Sequence, residues 1–134
     1  MARRAEPGVL ALIAIGGALG TVSRYEVGQV IHVAKDTFPW PTFVVNVSGA
    51  FALGLFLTFA IERFPPARDA RAFVAIGFLG SFTTFSTLAV ETVTLVKDGH
   101  APLGIGYLLI SVTVGVACCA LGIRLARLVP RRAC

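Results

Sequence analysis

Between Gly77 and Leu88 an otherwise apolar stretch carries five hydroxyls, on Ser81, Thr83, Thr84, Ser86 and Thr87. Such side chains offer O–H donors without bringing charge. Asn46 adds an NH2 group, and Thr42 stands four residues before it, hence on the same face of a helix. Tyr107 and Ser111 are also four apart and share a face. No carboxylate belongs to this set. Donors without acid groups suit a small anion better than a cation or a proton. For Asn46 a plainer role is equally open, an interhelical hydrogen bond of the kind that holds membrane helices together.

These residues need elements that hold them in an apolar medium. Aliphatic, aromatic and cysteine residues make up 56% of the 134 residues and charged ones 14%, against roughly 25% charged in a soluble domain. A membrane span takes about 20 mainly apolar residues. Four segments qualify: Val9 to Val33, Thr42 to Ile61, Ala72 to Val96, and Leu103 to Ile123. The expectation is an all-α membrane protein, a single unit of four transmembrane helices. The run Gly77-Phe78-Leu79-Gly80-Ser81-Phe82-Thr83-Thr84-Phe85-Ser86-Thr87-Leu88 weakens helix propagation within the third span. A mid-membrane break is expected there, and breaks of this kind mark ion or substrate pathways.

Charge sets the expected orientation. With four spans, Arg3, Arg4, Arg63, Arg68, Arg71, Arg124, Arg127, Arg131 and Arg132 fall on one side, Lys35 and Lys97 on the other, and Arg24 lies within a span. This bias places both termini in the cytoplasm of a multi-pass cell-membrane protein. The pI near 9.7 is then a property of helix ends facing lipid headgroups and not a sign of nucleic-acid binding. Arg3 and Arg4 before an apolar run also fit a cleaved signal peptide. Ala18-Leu19-Gly20 is a poor cleavage site, however, and Gly16, Gly17 and Gly20 fit a close helix-packing face. Cys118 and Cys119 are adjacent in an apolar helix and Cys134 lies on a basic tail, which is no disulfide framework and no metal spacing. Nor does any nucleophile–base pair suggest an enzyme.

Phe78, Phe82 and Phe85 recur at helical spacing. Such stripes are ordinarily core or lipid-facing, yet a ring's positive edge beside hydroxyl donors can hold a small hard anion loosely enough to release it. At this point the chain resembles the Fluc (CrcB) fluoride channels over essentially its whole length. The motifs are Gly16-Gly17-Ala18-Leu19-Gly20-Thr21-Val22-Ser23-Arg24-Tyr25, then Thr42-Phe43-Val44-Val45-Asn46-Val47-Ser48-Gly49, then Gly77 to Thr87. The resemblance implies an antiparallel dimer with two fluoride pores along the subunit interface. It makes Asn46 a fluoride donor, Phe85 the first ring of a phenylalanine pair, and Tyr107 and Ser111 a polar track. Thr42, Ser86 and Thr87 would complete the pathway. The carbonyls of Gly80 and Thr83 would hold a structural sodium ion, and Arg24, beside Glu26, would be structural or line a vestibule. Size points to a second chain as well: four helices about 10 Å across pack on their own side chains and leave no conduit.

Where the second ring of that pair would stand, this sequence has Leu88. The one-sided charge further suggests an oppositely oriented homologue as partner in place of a second copy. Two other readings stay open: a non-conducting subunit that completes a heterodimeric channel, and a small proton-coupled multidrug exporter. The exporter would need a membrane-embedded carboxylate, for which Glu26 and Glu91 are the candidates. Glu26 is near Arg24, and Glu91 is near a helix end and outside the donor set.

Overall fold

A computed structural model describes residues 6–63 and 68–128 of the chain. Arg3, Arg4, Arg131, Arg132 and Cys134 lie outside them, as does the side chain of Arg63. Among the described residues five helical elements occur: α1 (Pro7–Val30), α2 (Trp40–Arg63), α3 (residues 68–82), α4 (Phe85–Lys97) and α5 (Ala101–Leu128). Four helical runs among the described residues are long and apolar enough to cross a membrane, with α3 and α4 together forming the third, Arg68–Lys97. Pro7 opens α1 at the position where a missing N–H costs nothing. α1 ends at Val30 because Ile31 turns to extended backbone, three residues before the expected end at Val33.

Sequence neighbours are not always packing neighbours here. α1 packs chiefly against α3, while α2 packs along α5, and α4 lies on α5. Glycine makes the first two seams close. A methyl group added to Gly16 or Gly20 would fall on the carbonyl oxygens of Phe73 or Phe78, and one on Gly77 would lie 2.7 Å from the Ile13 carbonyl. On the other seam, Gly54 faces the Cys119 carbonyl and Gly122 that of Phe51. Small residues at such crossings let backbones approach and gain dispersion contact, which lipid tails cannot match. Within α3, Arg71–Leu79 is wound in the wider π form, with the Gly80 N–H reaching the Ala75 carbonyl. Such widening is uncommon and tends to fall near functional sites.

The third span is interrupted at Thr83 and Thr84. Their ψ angles are 154° and 117°, extended values that end α3 and admit α4 afresh at Phe85. α4 closes on Asp98 with Gly99 at φ +88°. The Gly99 N–H reaches Val96 O and the His100 N–H reaches Leu95 O, the paired bonds of a Schellman stop. At that end Phe38 packs edge-on against Tyr107 at 5.2 Å and against Phe43 at 5.3 Å. They cover the small core of Leu88, Leu95 and Tyr107. At the opposite end Arg68 pairs with Glu6 at 3.1 Å, tying the start of α3 to the start of α1.

Candidate functional site

The interruption leaves backbone groups that need partners. In a continuous helix the Thr84 N–H would reach the Gly80 carbonyl; here it donates to Asn46 Oδ1 at 2.7 Å. Asn46 Nδ2 in turn donates to the Thr84 carbonyl at 2.9 Å. One primary amide thus serves both main-chain groups of one residue. An amide nitrogen carries two hydrogens, so one N–H of Asn46 is left over. The interhelical bond, one of the two roles the sequence leaves open for Asn46, is present and uses one of its two amide hydrogens.

Thr84 also starts α4. Its Oγ1 accepts from the Thr87 N–H at 3.2 Å, donates to Thr87 Oγ1 at 2.9 Å and lies 3.2 Å from Ser86 Oγ. This is an N-cap, satisfying one of the donors that a helix start leaves orphaned. Two hollows flank it. A groove of about 350 Å³ runs between Asn46, Thr84, Phe85 and Leu88 on one wall and Ser111 and Val116 on the other. A smaller hollow of about 190 Å³ is walled by Arg24, Thr42, Thr84 and Thr87. Ser111 is 4% exposed, and its Oγ has no hydrogen-bond partner among the described residues. Phe85 presents its ring outward at 71% exposure, beyond the interruption from the stacked pair Phe78 and Phe82. No ionisable side chain among the described residues lines the larger groove.

Glu91 joins the site, although the donor set expected from the sequence omits it. Thr42 Oγ1 donates to its Oε1 at 2.8 Å and Tyr107 OH to its Oε2 at 2.7 Å. The donor set therefore has a carboxylate at one end. Nearness to a helix end is the wrong criterion here: Glu91 is three residues after Leu88 and four before Leu95, so it shares the buried face of α4. That periodicity is the signal available in the sequence. Arg24, by contrast, forms no ion pair with Glu26. The two are two residues apart on α1 and so face different ways. Gly80 and Thr83 sit at the α3 side of the interruption. Gly80 has open space around it, since an added methyl would meet only the Ala75 carbonyl at 3.6 Å. The tight glycine is Gly49, which faces Thr83 Cγ2 and the Phe82 ring.

Fold and site define a polytopic helical membrane protein with an uncharged, donor-lined groove beside an interrupted span. Residues 11–123 match the family described as CrcB-like protein, Camphor Resistance (CrcB), and the chain belongs to that family. It is similar to a Fluoride-specific ion channel FluC 3 of Streptomyces avermitilis, 46% identical over 125 residues; the match takes in 93% of this chain and 61% of that relative. It thus spans less than two thirds of that protein. A Fluoride-specific ion channel FluC 1 of Mycolicibacterium paratuberculosis is 40% identical over 118 residues, 88% of this chain and 89% of the relative. A Fluoride-specific ion channel FluC of Hahella chejuensis is 40% identical over 121 residues, 90% and 95% of the two chains.

Proposed function

We propose that this chain is a subunit of a fluoride-selective channel that lets fluoride leave the cytoplasm passively and so limits its toxicity. The observation that carries the proposal is the groove between Asn46 and Ser111, in a chain whose relatives are named fluoride-specific channels. Its wall offers the spare Asn46 N–H, the unpartnered Ser111 hydroxyl and the Phe85 ring, whose edge is positive, and no fixed charge. A small anion gains donors there and is not bound too tightly to leave. Thr42 and Thr87 line the smaller hollow with Arg24, Ser86 stands beside Thr84 Oγ1, and the buried Tyr107 joins Thr42 on Glu91; we assign all four to the same pathway.

The exposed Phe85 ring supports an arrangement in which a second subunit, antiparallel to the first, covers the groove's open side. The interruption at Thr83 and Thr84 would then lie at bilayer depth. The basic residues gathered at the Arg68 end support cytoplasmic termini. They also favour an oppositely biased homologue over a second copy as partner, one that could supply the ring Leu88 lacks. A structural sodium fits the carbonyls of Gly80 and Thr83, because the Thr84 N–H that would have satisfied Gly80 is turned to Asn46, and carbonyl oxygens suit a hard cation.

Liposomes containing the purified chain, alone and then with an oppositely biased homologue, test the reading. Fluoride efflux should persist after the pH gradient is collapsed and should far exceed chloride efflux. Strict dependence on a proton gradient, with transport of an organic cation, would instead favour an exporter working through the half-buried carboxylate of Glu91. Orientation can be read by labelling Cys134 from each side in a Cys118→Ser, Cys119→Ser background; equal labelling from both sides would defeat the cytoplasmic assignment.

A further inference from the structure

Asparagine has a short side chain. For Asn46 to donate to the Thr84 carbonyl at 2.9 Å and accept from the Thr84 N–H at 2.7 Å, the backbone of α2 must lie close against the interruption. Gly49 is three residues further on, hence on the same face of α2, and it meets the residue just before Thr84. A methyl group added at Gly49 would fall on Thr83 Cγ2 and lie 3.3 Å from the Phe82 ring. Two neighbouring contacts, 46 with 84 and 49 with 83, thus seat α2 on the broken segment.

Neither neighbour of Gly49 can step aside. Thr83 is β-branched and stiff at χ1, and its Oγ1 donates to the Leu79 carbonyl at 3.0 Å, which fixes the direction of the methyl. Phe82 is stacked on Phe78, with ring centroids 5.8 Å apart. A side chain at 49 is therefore accommodated only if α2 moves away. Carbon atoms rest about 3.5–4.0 Å apart, so the displacement is on the order of 1 Å. That is enough to carry both Asn46 bonds past hydrogen-bonding length.

We infer that Gly49 is a positioning residue of the channel. Its missing side chain sets the distance between α2 and the interruption, and so holds the Asn46 amide at the wall of the groove. Gly49 itself touches no ion. The inference deepens the channel reading and rests on it for the effect on efflux, whereas the positioning can be read without any ion.

A double-mutant cycle tests it, because Thr83→Ser removes only the obstructing methyl and keeps the hydroxyl that donates to Leu79. Fluoride efflux is measured in liposomes on material that elutes as the same assembly as the unmodified protein. Gly49→Ala should lower it at least about tenfold, since both bonds to Thr84 are lost. In the Thr83→Ser background the same change should cost no more than about twofold relative to Thr83→Ser alone. Hydrogen exchange at the Thr84 amide is the second readout. Gly49→Ala should speed it at least about tenfold, while Gly54→Ala, which overpacks a later turn of α2 against the Cys119 carbonyl, should leave it within about twofold. Where Gly49→Ala alone does not fold, recovery of folded protein in the double variant supports the assignment. A double variant that recovers neither yield, exchange nor efflux overturns it. So does a Thr84 amide that exchanges in Gly49→Ala no faster than in Gly54→Ala. Faster exchange with unchanged efflux overturns the part Gly49 has in conduction. An unmodified protein that passes no fluoride overturns the channel reading, and the exchange result then decides the positioning role by itself.

Discussion

Tyr107 donates to Glu91 Oε2 at 2.7 Å from a side chain only 1% exposed. The bond joins α5 to the middle of α4 and, through the Thr42 bond to the other carboxylate oxygen, to the start of α2. Tyr107→Phe keeps the ring and its edge contact with Phe38 but leaves one carboxylate oxygen without this donor. A loss of about 1–3 kcal/mol is expected, visible as a lower thermal midpoint in detergent. Fluoride efflux should fall as well, because a carboxylate held by the Thr42 bond alone is less firmly fixed at the end of the donor set. An unchanged midpoint would mean that water replaces the phenol.

Asn46→Ala removes both partners of Thr84 at once. Each stranded main-chain group costs about 1–3 kcal/mol, so thermal stability should drop along with fluoride efflux. A substitution that abolished efflux and left stability untouched would show that Asn46 acts on the ion alone.

The α1–α3 seam gives a purely mechanical test. Gly20→Ala places a methyl on the Phe78 carbonyl, whereas Gly8→Ala meets nothing within 4 Å. Overpacking of this sort costs about 1–3 kcal/mol. Gly20→Ala should therefore lower the thermal midpoint and the yield of folded protein, and Gly8→Ala should leave both alone.

Replacing sodium by N-methylglucamine throughout purification tests the cation site. Loss of the ion should lower the thermal midpoint in a way that added sodium restores, since a ligand bound only by the folded state stabilises it by mass action. Gly80→Val is not expected to clash within one chain, given the open space around Gly80. A midpoint indifferent to sodium would remove the ion from the proposal.

Composition and length alone are enough to read the four long apolar helices, because burying backbone in lipid permits few alternatives. Gly16 and Gly20 are legible as a close seam for the same physical reason that they form one: only glycine lets a neighbouring carbonyl approach the Cα. Which helix each seam joins cannot be read, since contacts between segments distant in sequence leave no local period. The double use of Asn46 is hidden for a related reason. Spacing tells which face a side chain occupies, but not that the facing segment offers main-chain groups instead of another side chain. Glu91 is misplaced when distance from the helix end is the guide, because its register with Leu88 and Leu95 carries the information.

Because Asn46 holds Thr84 by atoms that every residue except proline possesses, the two positions do not share the burden of change equally. At 84 the chain needs only a short side chain able to cap α4, and Ser, Asp or Asn would serve. At 46 it needs a donor and an acceptor on one short planar group, which among the twenty residues only asparagine provides at that length. A saturation scan of both positions, scored for folded protein, should therefore be lopsided, tolerant at 84 and nearly closed at 46, although the two residues make the same pair of bonds.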